Sequence, residues 1–346
     1  MNPAISSEPF SSNGWTLAGH AWGALPAWLA ASWKEWSTNH GCVFQTPLLV
    51  DSWVGTVGAA KGGVAIMLEA SDAMGVRLLW PLIVESVPTG AVVKGIGADV
   101  QYDYQDPLEY GAPMSPPEWQ EYWEVFIAWC RARIGPHPRI DVRRLTVPLP
   151  DRHCATHVES AAAPYVDLPL ASARPLDAVL AAQSYAHRRT VRRKLRAAAR
   201  LGDVHLELAG ASGGGALDHF FAMHRSQWAG SLFGSQFERS EERELFQRLM
   251  RDDTAGATVE LSCLTAGGQA CHWLFGLKHR GIYSWYKPTY LRTRKALSPG
   301  LLHLALLIDR CPGIGVHQID LGYGEESYKL HWTSRSRRIG GLSVPH

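Results

Sequence analysis

The sequence predicts an α/β (α+β) protein that is built from two domains. Hydrophobic residues recur with helical period in some stretches and alternate like strands in others, so both kinds of element are expected. The chain of 346 residues is long for one domain and comfortable for two, and its 46% hydrophobic and 10% aromatic content supplies apolar side chains for real cores. We therefore expect a folded globular protein.

Charge and cysteine use exclude several classes of protein. The formal net charge is +2, so no global field indicates nucleic acid, and we expect no DNA partner. The six cysteines show no CxxC spacing, and the N-terminus has no basic segment leading into an apolar one. These features predict reduced thiols and a cytoplasmic location. No apolar run approaches the roughly 18 residues of a membrane span, so we expect a peripheral membrane contact at most.

Two further kinds of site are disfavoured by residue spacing. The fifteen histidines are dispersed without an HExxH pattern, so no metal site is expected. Ser226, Cys263 and Cys271 lack a nucleophile elbow or a recognisable partner spacing, which argues against a serine or cysteine hydrolase.

The first part of the chain predicts helices followed by a meander of strands. A helical stripe near the N-terminus favours packing on a core over contact with a membrane, and its members are Trp22, Leu25, Leu29 and Trp33. Residues 64–84 are typical of a hairpin that turns at 72–75. Pro116 then opens a helix with one apolar face, formed by Tyr122, Trp123, Phe126, Ile127 and Cys130.

A change in composition marks the predicted domain boundary. Residues 161–175 are rich in proline and alanine and carry few charges, which is typical of a crossover segment. We place the boundary near Pro164, so that the halves are 1–164 and 165–346. In the second half, strands at 258–278 meet at Gly267-Gly268 as a hairpin.

The most basic segment of the chain lies just after the predicted boundary. On a helix, five arginines would share one face, namely Arg189, Arg192, Arg193, Arg196 and Arg200. Such runs are usually solvated, but Arg192 and Arg196 are candidates for binding a phosphate of a substrate. Nucleic acid is disfavoured because no aromatic residue interleaves with the arginines to stack on bases.

Residues 283–329 carry the strongest sequence signals. A strand pattern at Tyr283 is followed by Ser298-Pro299-Gly300 and an apolar helix, then by an alternating strand that ends at Asp320. Serine can cap free backbone N–H groups, and proline is favoured at the first helical position, so the helix is expected to start at Ser298. The free N–H donors and the positive end of the helix dipole favour binding of a phosphate at this turn.

These residues resemble a known family. The shared features are Ser298-Pro299-Gly300 opening an apolar helix, Ile319-Asp320-Leu321-Gly322 ending a strand, and Tyr328-Lys329 after a glycine-rich turn. In this order they resemble the C-terminal half of the GNAT-fold acyltransferase domain of CelD-type cellulose-biosynthesis proteins, which is related to Fem-type peptidoglycan transferases. Similar stretches occur at 43–53, at 97–108 and after His187. The resemblance implies two GNAT-like halves around a cleft, each a mixed, mainly antiparallel sheet flanked by helices.

The resemblance also implies an activity. The family transfers an acyl group from a thioester, usually acetyl-CoA or a longer acyl-CoA, to an amine of a small molecule, a lipid or an envelope precursor. It places the pyrophosphate of the donor at the turn formed by Ser298, Pro299, Gly300, Leu301 and Leu302. We expect the backbone N–H groups of Leu301 and Leu302 to be its hydrogen-bond donors. The strand at 270–278 would offer free backbone groups to the pantetheine arm. The oligomeric state is left open.

Aminolysis of a thioester needs a base for the amine, a donor for the tetrahedral oxyanion and an acid for the leaving thiolate. Tyr328 and Lys329 match the family's tyrosine–lysine pair, and Asp320 ends the strand before them. Asp103 is a second candidate base, because neighbouring rings can desolvate a carboxylate and raise its pKa. Its neighbours Tyr102 and Tyr104 are candidate substrate-binding residues. All of these side chains also have a purely structural interpretation.

Two other functions remain open from the sequence. A Fem-type enzyme would take an aminoacyl group from a tRNA. A catalytically silent protein would serve as an accessory of polysaccharide or lipid biosynthesis, because GNAT-like halves can lose their cofactor.

Overall fold

A computed structural model describes residues 8–97, 101–135, 137–209, 215–253, 255 and 258–345. Ala98, Asp99 and Val100, which belong to the stretch 97–108 used in the family resemblance, lie outside the described residues.

The described chain alternates between strands and helices. Up to Arg133 the elements are β1 (Phe10–Ser12), β2 (Trp15–Ala21), α1 (Ala27–Asn39), α2 (Pro47–Trp53), α3 (Ala59–Lys61), β3 (Val64–Asp72), β4 (Gly75–Val87), β5 (Gly90–Gly95), β6 (Leu108–Glu109) and α4 (Pro116–Arg133). From there to Asp252 they are β7 (Arg139–Leu145), β8 (Thr156–Asp167), α5 (Pro175–Ala181), α6 (Tyr185–Ala199), β9 (Val204–Ala209), α7 (Ala216–Trp228) and α8 (Ser240–Asp252). The remaining elements are β10 (Val259–Ala266), β11 (Gln269–His279), β12 (Ile282–Tyr290), α9 (Pro299–Arg310), β13 (Gln318–Asp320), α10 (Ser327–Leu330) and β14 (Ser336–Val344).

The chain forms two compact units. The first contains the described residues up to Ala161 together with those from Arg338 onward, and the second contains Ala162–Arg337. The prediction from sequence placed the last residues with the second half. They join the first unit because β14 pairs antiparallel with β7, with Leu342 opposite Val142 and Val344 opposite Ile140.

The first unit is organised on a mixed sheet in the order β1-β2-β3-β4-β5-β7-β14, with β6 paired to β4. All of these pairings are antiparallel except that of β5 with β7. The predicted hairpin is present as β3 and β4, with Asp72 opposite Gly75. The predicted apolar face of α4 is buried in the core of this unit, as expected for a helix packed on a sheet.

The second unit has a sheet in the order β8-β13-β12-β11-β10-β9, in which only β12 and β13 run parallel. Helix α9 packs on it with one apolar face, formed by Leu302, Leu304, Ala305, Leu307 and Ile308. Both sheets are therefore mixed and mainly antiparallel, and the predicted fold class is confirmed.

Candidate functional site

The N-terminus of α9 presents free backbone donors. Its first residue is Pro299, as the sequence predicts, and Ser298 is the N-cap. Ser298 has φ 55° and lies in the left-handed region, unlike the extended backbone that capping serines normally adopt, and its side chain makes no cap hydrogen bond to the described residues. The predicted serine cap is therefore wrong. By helix geometry the N–H groups of Gly300 and Leu301 have no partner within α9. The prediction that the Leu302 N–H is a free donor is wrong, because it donates to the Ser298 carbonyl at 3.2 Å.

This helix end lies close to the place where two strands separate. β12 pairs with β13 only through Ile282, Tyr283 and Ser284, whereas its pairing with β11 continues as far as Tyr290. The edge of β12 beyond Ser284 is thus not paired with β13. β11, in contrast, is paired with β10 on one side and with β12 on the other. The prediction that β11 offers free backbone groups is wrong, because both of its edges are paired.

A buried polar cluster lies between α9 and the sheet. His272 on β11 and His303 on α9 are 2% and 0% exposed, and their Nδ1 atoms are 3.0 Å apart. Nε2 of His303 lies 3.0 Å from the Ser262 hydroxyl. A Cβ placed on Gly300 would lie 3.5 Å from Nε2 of His272, so this nitrogen borders the first turn of α9. Burial lowers the pKa of His272 to about 3 and that of His303 well below its usual value.

The cluster continues to an ion pair at the other end of α9. Tyr283, on β12, donates to Glu260 Oε1 at 3.1 Å. Arg310 donates to both Glu260 oxygens, at 2.6 and 2.7 Å. Burial alone would raise the pKa of Glu260, but the hydrogen bonds and charge of Arg310, with Lys278, lower it. Glu260 is therefore ionised, and it accepts hydrogen bonds from both Tyr283 and Arg310.

The buried polar residues beneath α9 are Glu260, Tyr283, Ser262, His303 and His272. No role was assigned to them from the sequence. The available signal was the presence of polar residues at alternate positions 260 and 262 of a mostly apolar strand. That signal does not identify the partners, which are 23 to 50 residues away along the chain.

The turn after β13 gathers three of the predicted catalytic residues. Asp320 is buried; its Oδ1 accepts from the Gly322 N–H at 2.8 Å and its Oδ2 pairs with Arg337 at 2.8 Å. Lys329 is 3% exposed, and its ammonium donates to the carbonyl oxygens of residues 322, 323 and 324 and to Glu326. Tyr328 is 43% exposed. The contacts of Asp320 and Lys329 organise the turn, and the catalytic role of all three residues stays a prediction.

The fourth catalytic candidate lies in the first unit. Asp103 faces Arg144, with Oδ1 and Nη1 3.7 Å apart. The rings of Tyr102 and Tyr104 are buried and pack against Phe44, and the Tyr102 hydroxyl donates to the Leu49 carbonyl. These contacts are typical of packing, and the catalytic and substrate-binding roles stay predictions.

In the same segment, Asp106 is the residue whose carboxyl group has a shifted pKa. Burial raises its pKa from 3.8 to about 6, against the opposing effect of hydrogen bonds from Thr146 and Val147. Sequence reasoning assigned the raised pKa to Asp103, because the flanking tyrosines suggested desolvation there.

The arginine-rich segment forms α6 as predicted, but its two candidates differ in surroundings. Arg192 pairs with Asp177 at 3.3 Å, whereas no ion pair of Arg196 is present among the described residues. Both line a cavity of about 540 Å³ together with Arg174, Asp177 and Asp309. The role of this cavity in binding phosphate stays a prediction.

One group of potential metal ligands occurs in the first unit. Ligand atoms of Glu124, His153 and Cys154 all lie within 4.8 Å of one another. The sequence offered no spacing signal for this group, because Glu124 lies 30 positions before Cys154. Two of the three side chains are exposed.

Comparison with known proteins finds a family model that matches part of the second unit. Residues 186–330 match the family model of the acetyltransferase (GNAT) domain. The solved structure described as FemX has a TM-score of 0.61 at 9% identity, covering 92% of this chain and 96% of that chain. A conserved protein of unknown function from Bacteroides thetaiotaomicron VPI-5482 has a TM-score of 0.56 at 10% identity, covering 93% and 98%. No curated protein matches significantly.

These comparisons support an acyltransferase at the general level, through the GNAT domain at residues 186–330. At 9% and 10% identity the two solved structures show the fold alone. Within the described part of the chain, no helix is long and apolar enough to span a bilayer.

Proposed function

We propose that this protein is an acyl-CoA-dependent N-acyltransferase of the CelD type, which moves an acyl group from a thioester to an amine of a small molecule, a lipid or an envelope precursor. One observation carries the proposal: α9 begins with free N–H groups at Gly300 and Leu301. Two oriented amides and the positive end of a helix dipole bind a diphosphate well. The pairing of β12 with β13 stops at Ser284, and we assign the amides of a pantetheine arm to the place where these two strands separate.

Aminolysis of a thioester mainly requires that the enzyme hold the amine and the thioester in position. The neutral amine nitrogen attacks the thioester carbon, and the carbonyl oxygen becomes an oxyanion. The attacking nitrogen gives up one proton to a base or to water, and collapse of the intermediate expels the thiolate, which then takes up a proton. No covalent enzyme intermediate and no metal are required. Tyr328 is 43% exposed and precedes Lys329, which organises the turn together with Asp320, so we assign to its hydroxyl the protonation of the thiolate.

The test is a direct assay of thiol release. Purified protein is mixed with acetyl-CoA or longer acyl-CoA and a panel of amines, and free thiol is measured against time. Amine-dependent release, together with a rise in melting temperature on adding acyl-CoA, supports the proposal. An absence of both effects with every donor contradicts it and favours a catalytically silent protein. Salt-sensitive binding of aminoacyl-tRNA without any response to acyl-CoA would instead favour the Fem-type alternative.

A further inference from the structure

A glutamate, a histidine and a cysteine meet on the surface of the first unit. Glu124 lies on the exposed side of α4, and His153 and Cys154 lie in the turn just before β8. One ligand atom of each residue lies within 4.8 Å of those of the other two, and Sγ of Cys154 is 4.0 Å from Oε1 of Glu124. The turn and the helix therefore bring together three side chains that are able to bind one metal ion.

A glutamine one turn before Glu124 on α4 connects this group. Nε2 of Gln120 donates to Glu124 Oε1 at 2.7 Å and lies 3.4 Å from Sγ of Cys154. Oε1 of Gln120 accepts from the backbone N–H of Asp151 at 2.7 Å. One amide group thus holds the turn against α4 and directs its N–H donors at the carboxylate and the sulfur. Hydrogen bonds of this kind orient the ligands in protein metal sites.

The charge of the group suits a cation. Among the described residues, the Glu124 carboxylate accepts from Gln120 and forms no ion pair. The carboxylate of Asp151 adds a second negative charge, with its Oδ2 3.9 Å from Nδ1 of His153. When the thiol of Cys154 is deprotonated, these two carboxylates and the thiolate carry three negative charges, which a divalent cation would partly neutralise.

The types of ligand atom select the metal. Thiolate sulfur and imidazole nitrogen are ligands of Zn²⁺, whereas Mg²⁺ and Ca²⁺ prefer oxygen. At tetrahedral positions around one zinc ion, a sulfur and an oxygen ligand lie about 3.6 Å apart. The 4.0 Å between Sγ and Oε1 therefore requires only a small rotation of the exposed Glu124 side chain.

We propose that Glu124, His153 and Cys154 bind a Zn²⁺ ion whose fourth ligand is water. The Cys154 thiol gives its proton to the solvent as the zinc–sulfur bond forms. The ion ties the turn before β8 to α4 and so stabilises the first unit. This inference does not depend on the proposed acyl transfer, because the family match covers residues 186–330 and no step of the aminolysis uses the three ligands.

Calorimetry with zinc chloride tests the site on metal-free protein that carries no histidine tag. We expect one ion per chain and a loss of about a hundredfold in affinity in Cys154→Ser, because a neutral hydroxyl replaces a thiolate ligand. Cys42→Ser is the matched control and should bind like wild type, since Cys42 and Cys154 are half-buried and the other four cysteines are buried. An absence of binding, or equal binding by wild type and Cys154→Ser, overturns the proposal.

Cobalt in place of zinc reports the ligands directly. A thiolate bound to Co²⁺ gives a charge-transfer absorption in the near ultraviolet, and intense visible bands indicate a tetrahedral ion. Both signals are expected in wild type and in Cys42→Ser, and the charge-transfer band should be absent from Cys154→Ser. Weak visible bands without a charge-transfer band in wild type would show an adventitious ion only and would overturn the proposal.

Further variants keep the test decisive if Cys154→Ser fails to fold. Glu124→Gln and His153→Gln change exposed side chains, so without zinc both should melt like wild type. Zinc should raise the melting temperature of wild type more than that of either variant. Gln120→Leu keeps all three ligands and should weaken zinc binding about tenfold, as loss of an orienting hydrogen bond does. Zinc affinities equal to wild type in Glu124→Gln and His153→Gln contradict the assignment of the ligands.

Discussion

The ammonium of Lys329 lies 2.7 Å from the carbonyl oxygen of Tyr323 and 2.8 Å from a carboxylate oxygen of Glu326. It also donates to the carbonyls of Gly322 and Gly324. One buried cation therefore hydrogen-bonds three consecutive carbonyl oxygens of the glycine-rich turn and holds them together. Both glycines have positive φ, 73° and 105°, which brings their carbonyl oxygens round to a common point. The lysine that the sequence suggests as catalytic thus has its protons engaged by the backbone.

From this contact we predict that Lys329→Met lowers the free energy of unfolding by about 2 kcal/mol or more, because buried carbonyls lose their donor. Urea denaturation measures the change, with Lys34→Met on the exposed face of α1 as the control. A variant that unfolds like wild type yet loses a hundredfold or more in turnover would contradict this expectation and establish direct catalysis by Lys329.

The second prediction concerns Gly300. A Cβ at this position would meet only His272, at 3.5 and 3.8 Å, which is ordinary contact, so Gly300→Ala should fold and bind acyl-CoA within about threefold of wild type. Gly300→Asp places a carboxylate at the helix N-terminus, where it competes with the diphosphate. We expect about tenfold or greater loss of acyl-CoA affinity by calorimetry. Equal binding by the aspartate and alanine variants would show that the diphosphate lies elsewhere.

The third prediction concerns the cavity at α6. Arg196→Glu should raise the Michaelis constant for one substrate by about tenfold and leave the melting temperature nearly unchanged, because no ion pair of Arg196 is present among the described residues. Arg192 is the poorer test, since it also pairs with Asp177. Arg200→Glu, also exposed and close to the end of α6, serves as the control. An unaltered Michaelis constant for every substrate would assign the arginines to a solvated face.

The fourth prediction uses the raised pKa of Asp106, which is about 6 in place of 3.8. Between these two pH values the folded protein holds a proton that the unfolded chain has released. Stability should therefore fall as the pH rises through this window, and the contribution should be absent in Asp106→Asn. Denaturation of both proteins from pH 4 to pH 7 gives the difference, and the exposed Asp151→Asn variant is the control. Parallel curves for wild type and Asp106→Asn would contradict the assignment.

Much of the architecture follows from patterns between close neighbours in the sequence. The hairpin of β3 and β4, the buried face of α4 and the start of α9 at Pro299 were predicted because period-2 alternation, period-3.6 stripes and proline at the first helical position act over a few residues. The mixed, mainly antiparallel fold class follows from these elements together with the family resemblance.

Tertiary structure alone decided the environment of each polar group. Burial raises the pKa of Asp106, and hydrogen bonds from Thr146, 40 positions away, oppose that rise. His272 meets His303 across 31 positions. β14 joins β7 through pairing that no local pattern specifies. The sequence by itself determines the chemistry of each side chain and the spacing of apolar residues along an element. The pKa of a group and the partner of a strand depend on which distant groups surround them after folding, because desolvation and hydrogen bonding act through space.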